Sequence, residues 1–412
     1  MMSLPGLREL PAAPRRFLYF STINVISWQC LVGQPLVLFG RALDMPPAWV
    51  GVLIGLMPLS MLLVVFTGPL VEWLGPRRLL TWGWLLRNLC AATVIAIPWA
   101  LKLWGKPGAW LVLLFATLGF CVFRALSVGG WFPWLHEVLP VHQRGRYLAA
   151  ETALAEVVTI LVVVGCGAIL GQRGELGGFF SIYAVGIVTG LASIGLMRRI
   201  PGGEVPASAL PGESRGFALL PILRDHSYRR FLTRTFFCLA VLAGQSSVAV
   251  MYLRDILAYS DRHIMYLAAA GSLAVALLIG FWISRATRKS GTNPAMPWIL
   301  LSHSFFALAW LGLIPGQSWT AGLALAAVIG CTFCNAAYTT MATRDMLQMV
   351  REPGRVGYTN LWIIATSLAT GLVPILAGLL IDWLGLTGFR LCFLASGLGG
   401  LLAADSLFRP AP

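Results

Sequence analysis

Four ionisable side chains lie inside apolar runs, and their types are those of charge pairing and proton transfer. Arg87 sits in the run 79–101, Arg124 in 110–133, and Glu151 and Glu156 in 147–170. At the centre of a bilayer such a residue costs about 2.5–3.5 kcal/mol on insertion scales, so each needs a partner, water or a purpose. A carboxyl group there can take up and release a proton, and a guanidinium can hold that carboxylate or an anionic solute. Arg124 lies about fifteen residues into its run, and Gly129-Gly130 follow. The next run crosses in the opposite sense, so Glu156, about ten residues into it, reaches a comparable depth. Glu156 is therefore the expected partner of Arg124. Five positions separate it from Glu151, about 140° around a helix, so the two carboxylates face different surroundings. Glu151 lies nearer the cytoplasmic start and is placed to line an exit or to meet loop arginines. Two readings of the Arg124–Glu156 pair stand side by side. One is a fixed bridge between helices; in the other, Glu156 titrates while Arg124 alternates between carboxylate and solute. Arg87 lies near one end of its run, where a long stem can snorkel.

The elements that carry these residues are membrane spans. The 412-residue chain is 58% hydrophobic and only 11% charged, against about 25% charged in soluble domains. A span needs about 20 mostly apolar residues. Twelve segments meet this: 17–39, 49–71, 79–101, 110–133, 147–170, 179–196, 231–253, 264–283, 297–314, 320–341, 358–381 and 389–408. The first is longer than a signal-peptide core of about 7–15 residues, so it is expected to remain as a span. Short links favour antiparallel neighbours. The exception is 197–230, where Pro201, Gly202, Gly203, Pro206, Pro211 and Gly212 break regular structure. The expected organisation is an N-terminal six-helix bundle over 1–196, a cytoplasmic linker over 197–230 and a C-terminal six-helix bundle over 231–412.

With both termini cytoplasmic, 21 of the 30 Lys and Arg residues fall in cytoplasmic segments, seven on the opposite side, and two, Arg87 and Arg124, within spans. The positive-inside rule supports that orientation. The expected location is multi-pass in the plasma (inner) membrane. The net charge of +14 follows from these loops, and nucleic acid is not an expected partner.

The halves also repeat. Gly68-Pro-Leu-Val-Glu72-Trp-Leu-Gly75-Pro-Arg77-Arg78 returns, about 212 positions later, as Gly280-Phe-Trp-Ile-Ser284-Arg285-Ala-Thr-Arg288-Lys289. Gly145-Arg146 and Gly354-Arg355 repeat at nearly the same distance. One duplication explains both, and paired repeats are a plan of membrane transporters.

The pattern Gly-x-Leu-x-acid-x-x-Gly-x-Arg-Arg after the second span, its degenerate copy after the eighth, and the twelve spans resemble the major facilitator superfamily over nearly the whole chain. The resemblance implies an all-α polytopic membrane protein, with twelve transmembrane helices in two six-helix pseudo-symmetric bundles. It implies a cytoplasmic charge-and-dipole latch built from Glu72, Arg77 and Arg78, with Gly68 and Gly75 allowing close packing and the turn. This sequence departs from the pattern: Glu72 replaces the usual Asp, Trp73 and Pro76 stand at frequently basic positions, and Ser284 replaces the second acid. The order Arg124-Ala-Leu-Ser-Val-Gly resembles the family's arginine-and-glycine motif in span four, a position associated there with proton coupling or substrate orientation. Spans one, four, seven and ten surround the cavity in that family. Asn24, Gln29, Gln245 and Asn335 are thereby implied as hydrogen-bonding groups for a solute, with bonds between helices as the alternative.

The expected activity is secondary transport of a small solute by alternating access, coupled to protons. The alternative is a non-transporting sensor or assembly factor of the same fold. There is no Gly-x-x-x-x-Gly-Lys-[Ser/Thr] loop for nucleotide phosphates. The five histidines are scattered, and Cys331-x-x-Cys334 has no second ligand pair. Neither an enzyme nor a metal or cofactor site is expected. The interfacial tryptophans are read as anchors.

Overall fold

A computed structural model describes residues 11–140, 143–171, 175–204, 222–286, 295–351 and 355–408, and these residues contain helices and no strand. The first long element is broken. Gly33 takes an extended conformation and Pro35 follows at the start of the next helix, so the expected span 17–39 is two helices, α1 (Ala12–Val32) and α2 (Gln34–Ala42). Next come α3 (Pro47–Ser60), a 3-10 turn at Met61–Phe66 and α4 (Thr67–Leu74). Beyond Gly75 lie α5 (Pro76–Ala92), α6 (Ile97–Val128), α7 (Trp131–Val138), α8 (Arg144–Leu170) and α9 (Leu176–Met197).

After the break in description come α10 (His226–Met251), with a π turn at Tyr252–Ile256, and α11 (Asp261–Ala286). They are followed by α12 (Ala295–Ala309), α13 (Thr320–Met349), α14 (Arg355–Leu384) and α15 (Leu386–Phe408). Arg288 and Lys289 of the second basic turn lie outside the described residues, as do 205–221 of the linker.

Eleven stretches of the described chain are long and apolar enough to cross a membrane. One of them, Pro76–Val128, runs for 53 residues. As a single helix it would be about 80 Å long, more than twice the ~30 Å hydrocarbon core. Gly105 resolves this: at φ 65°, ψ −161° it leaves helical geometry, which costs glycine little, and two crossings result. The twelve expected spans are thus present.

The chain divides into two compact units. The first comprises Met1–Asp44, Ser60–Leu170 and Gly174–Arg215. Within it α1 packs along α8 and α9, and α5 along α6. One end of this unit is an aromatic cluster of Phe17, Phe20, Trp84 and Trp134 around Leu80, Tyr147 and Ile194. Phe17 meets Trp131 edge-on with centroids 5.0 Å apart and Trp134 at 5.5 Å, the arrangement that opposes ring edge to ring face.

The second unit comprises Met45–Leu59, Gly171–Arg173 and Gly216–Pro412. Here α10 packs on α14 and α15, α12 on α15, and α11 and α12 on α13. Gly51 and Gly378 let α3 and α14 come together: a methyl group at either would collide with the opposing backbone. Small residues at such crossings are how membrane helices gain dispersion contact without a hydrophobic driving force. Large apolar side chains remain outward, among them Trp383 at 82% and Trp73 at 77% exposure. In lipid that surface is solvated, not stranded.

Candidate functional site

The first unit assembles a buried polar group from α1, α5 and α6. Arg87 on α5 is fully buried. Its guanidinium lies 4.1 Å from the Trp84 ring centroid and 4.9 Å from that of Phe120. Its Nη2 donates to Asn24 Oδ1, which also accepts from Trp84 Nε1 at 3.0 Å. Nε and Nη1 of Arg87 make no hydrogen bond among the described residues. The stem, which could have snorkelled to an interface, instead keeps the guanidinium fully buried beside the Trp84 and Phe120 rings.

Arg124 on α6 stands one step further along the same stack. Its guanidinium lies 4.2 Å from the Trp28 ring centroid, and Trp28 is 6.2 Å from Phe120. Trp84, Arg87, Phe120, Trp28 and Arg124 thus form one continuous run of ring and cation contacts. Arg124 Nη1 also reaches Met61 Sδ at 3.4 Å, a weak acceptor. The expected pairing with Glu156 is not formed: among the described residues of the first unit, the ion-paired carboxylates meet Lys106 and Arg77. Tertiary packing gave Arg124 the ring face of Trp28 on α1 instead, and no distance in sequence announces that choice.

The glutamates lie on α8. Glu151 Oε1 accepts from Ser21 Oγ at 2.6 Å, and Gln29 Nε2 donates to Thr159 Oγ1 at 3.2 Å. Both bonds join positions 130 apart, so α1 and α8 run parallel and in register. Glu156, half-buried, lies between these two rungs. Asn24 is committed to Arg87 and Trp84, and Gln29 to Thr159.

In the second unit Gln245 on α10 is buried and its Oε1 has no hydrogen-bond partner among the described residues. Asn335 on α13 accepts from Thr339 at 3.5 Å. Its neighbours Cys331 and Cys334 are buried free thiols, and among the described residues no group of His, Cys, Asp and Glu could hold a metal ion.

The glycine–arginine turn forms a clasp. Gly75, at φ 76°, sits in the left-handed range that glycine adopts without strain, and Pro76 opens α5. Arg77 then grips the chain leaving α9. Its backbone N–H donates to Gly203 O at 2.9 Å, Nη2 to Arg198 O at 2.8 Å and Nη1 to Glu204 Oε1 at 2.6 Å. Glu137 on α7 accepts from Gly203 N at 2.8 Å, and Trp134 Nε1 donates to Pro201 O at 2.9 Å. Arg16 Nη1 reaches Arg199 O at 2.7 Å. Glu72 and Arg78 are exposed, and no described atom lies within 4 Å of where a Cβ on Gly68 would stand. Within this unit, Glu137 and Glu204 are the carboxylates bonded at this turn. Sequence reading passed over both, one inside a terminal half-turn and the other among linker glycines.

No family model matches the chain, and no curated protein matches it. Solved structures do. A bacterial homologue of the iron transporter ferroportin, in an inward-facing state, is 14% identical over 98% of each chain, with a TM-score of 0.74. The nucleoside transporter NupG is 11% identical, covering 96% of this chain and 98% of its own, at 0.68. A D-xylose–proton symporter is 14% identical, covering 97% and 98%, at 0.69.

Proposed function

We propose that this chain, a protein of the major facilitator fold, is a secondary transporter that moves a small anionic solute by alternating access. The observation that carries the reading is the pair Arg87 and Arg124. Both lie in membrane-spanning helices of one unit, and among its described residues neither has a carboxylate in ion-pair distance. Removing one partner of a buried ion pair costs about 3–5 kcal/mol, so an uncompensated guanidinium here asks for a counter-charge. Ring faces attract the cation by about 0.5–2 kcal/mol and bring no negative charge. The N–H groups of the Arg124 guanidinium beyond the one directed at Met61 Sδ suit a carboxylate or phosphate edge. A solute anion supplies what the unit lacks.

Glu156 and Glu151 are the proposed proton carriers. Glu151 already has one hydroxyl donor in Ser21, and Glu156 is half-buried beside the same helix. Proton uptake on α8 with anion uptake at Arg124 keeps the net charge moved small. The N-terminal and C-terminal halves, joined by the linker, and the cytoplasmic placement of both termini in the plasma (inner) membrane belong to the same proposal.

Flux into liposomes holding the purified full chain tests it, using labelled succinate, gluconate, glycerol 3-phosphate and xylose with and without a pH gradient. Uptake of an anion that an imposed gradient accelerates is expected. Flux of xylose with no anion would remove the anionic assignment and keep transport. Saturable binding of an anion without any flux would establish a sensor in place of a transporter.

A further inference from the structure

The two units differ where their repeat predicts likeness. In the first, the ends of its first, third, fourth and sixth spans enclose the aromatic cluster of Phe17, Trp84 and Trp134, and the chain after α9 folds back across it. The corresponding ends in the second unit are those of α10, α12, α13 and α15. At the repeat offset of about 212, Phe17 corresponds to Arg229 and Trp84 to Met296. There, beside a packed core that includes Met296, Tyr338 and Met346, the second unit has a cavity of about 1240 Å³.

The cavity is polar on one side and apolar on the other. Arg229, Arg230 and Arg234 line it from α10, and Asp345 is its one acid among the described residues. Arg229 Nη2 is bonded to His226 Nδ1 at 2.9 Å. Arg230 and Arg234 enter no ion pair with a described carboxylate. Met296, Met349 and Leu407 supply the apolar wall. Trp298 and Phe408, edge-to-face at 5.5 Å, stand exposed at 62% and 47% on its lining. Exposed aromatic rings mark the interfacial depth of a bilayer, and this end of the unit carries the basic loops.

We propose that this cavity binds the phosphate headgroup of an anionic phospholipid from the adjoining leaflet, with the acyl chains leaving past Trp298 and Phe408. Three guanidiniums against one carboxylate select negative charge, and planar N–H edges suit phosphate oxygens. The apolar wall and the exposed rings favour an amphiphile over a free ion. Anionic lipids populate the cytoplasmic leaflet, where basic residues draw them in. The site is independent of the solute assigned to Arg124.

Thermal unfolding of the full chain in neutral detergent, titrated with dioleoyl phosphatidylglycerol, dioleoyl phosphatidylcholine or inorganic phosphate, decides the matter. Saturable stabilisation by phosphatidylglycerol alone is expected. The R230Q/R234Q variant should need about fivefold more lipid for each arginine removed, whereas R230K/R234K should stay near wild type. Each single glutamine variant gives the same comparison if the double variant does not purify. Equal stabilisation by the two lipids, or undiminished affinity in the glutamine variants, overturns the proposal. Equal stabilisation by inorganic phosphate at the same concentration overturns the lipid and leaves a phosphate site.

Discussion

The guanidinium of Arg124 lies 4.2 Å from the centroid of the Trp28 ring, so the charge expected to face a glutamate rests on an indole of the first helix. We propose that the ring positions this cation and that its N–H groups meet the solute.

Replacing Arg124 tests both halves of that statement. Arg124→Gln should abolish anion flux, with yield and monodispersity unchanged. Arg124→Lys should retain charge and lose the in-plane donors, giving a higher KM at a measurable kcat. Trp28→Leu should resemble the lysine variant. Liposome uptake kinetics separate these outcomes, and normal flux in Arg124→Gln would remove the residue from the site.

The two glutamates should separate under a pH gradient. Glu156→Gln is expected to abolish gradient-driven accumulation while counterflow exchange of solute continues. Glu151→Gln keeps an oxygen acceptor for Ser21 and should assemble normally. Ion dependence on sodium with indifference to pH in the wild type would remove both from coupling.

The clasp predicts an order of stabilities. Glu204 is 73% exposed against 25% for Arg77, so Glu204→Gln should cost under about 1 kcal/mol. Arg77→Ala also strands the Arg198 carbonyl, and Glu137→Ala strands the Gly203 N–H; each should cost about 1–3 kcal/mol. Glu72→Gln should be silent. Thermal unfolding in detergent ranks the four, and a loss at Glu72 equal to that at Glu137 would place Glu72 in the clasp as well.

Asp225 gives a pH prediction outside the spans. Burial pushes its carboxyl up, but the Tyr228 N–H, the Arg351 charge, the Ser227 N–H and the Tyr358 hydroxyl together hold it below the ordinary carboxylate range. A depressed folded value contributes stability that is present above the unfolded value, about pH 4. That stability is lost as pH falls through the folded value. Asp225→Asn should therefore lower Tm at pH 7 and narrow the gap to wild type below pH 4. A gap that widens on acidification would contradict the assignment.

The chain order of hydrophobic runs was enough to place twelve spans, because the length of each run is compared with a fixed bilayer thickness and nothing distant enters. The glycine–arginine turn was legible for the same reason: Gly75 answers to its own φ. The composition and the repeat also announced the fold class. Arg124 shows where this stops. Its depth in the membrane follows from counting residues, but the choice between Glu156 and Trp28 depends on how α6 is rotated against α1 and α8. Glu137 and Gly203 meet across 66 positions, and the unit-two cavity is lined from α10, α12, α13 and α15, far apart in the chain. Local run lengths decide which residues enter the membrane; helix rotation and packing decide what each of them touches.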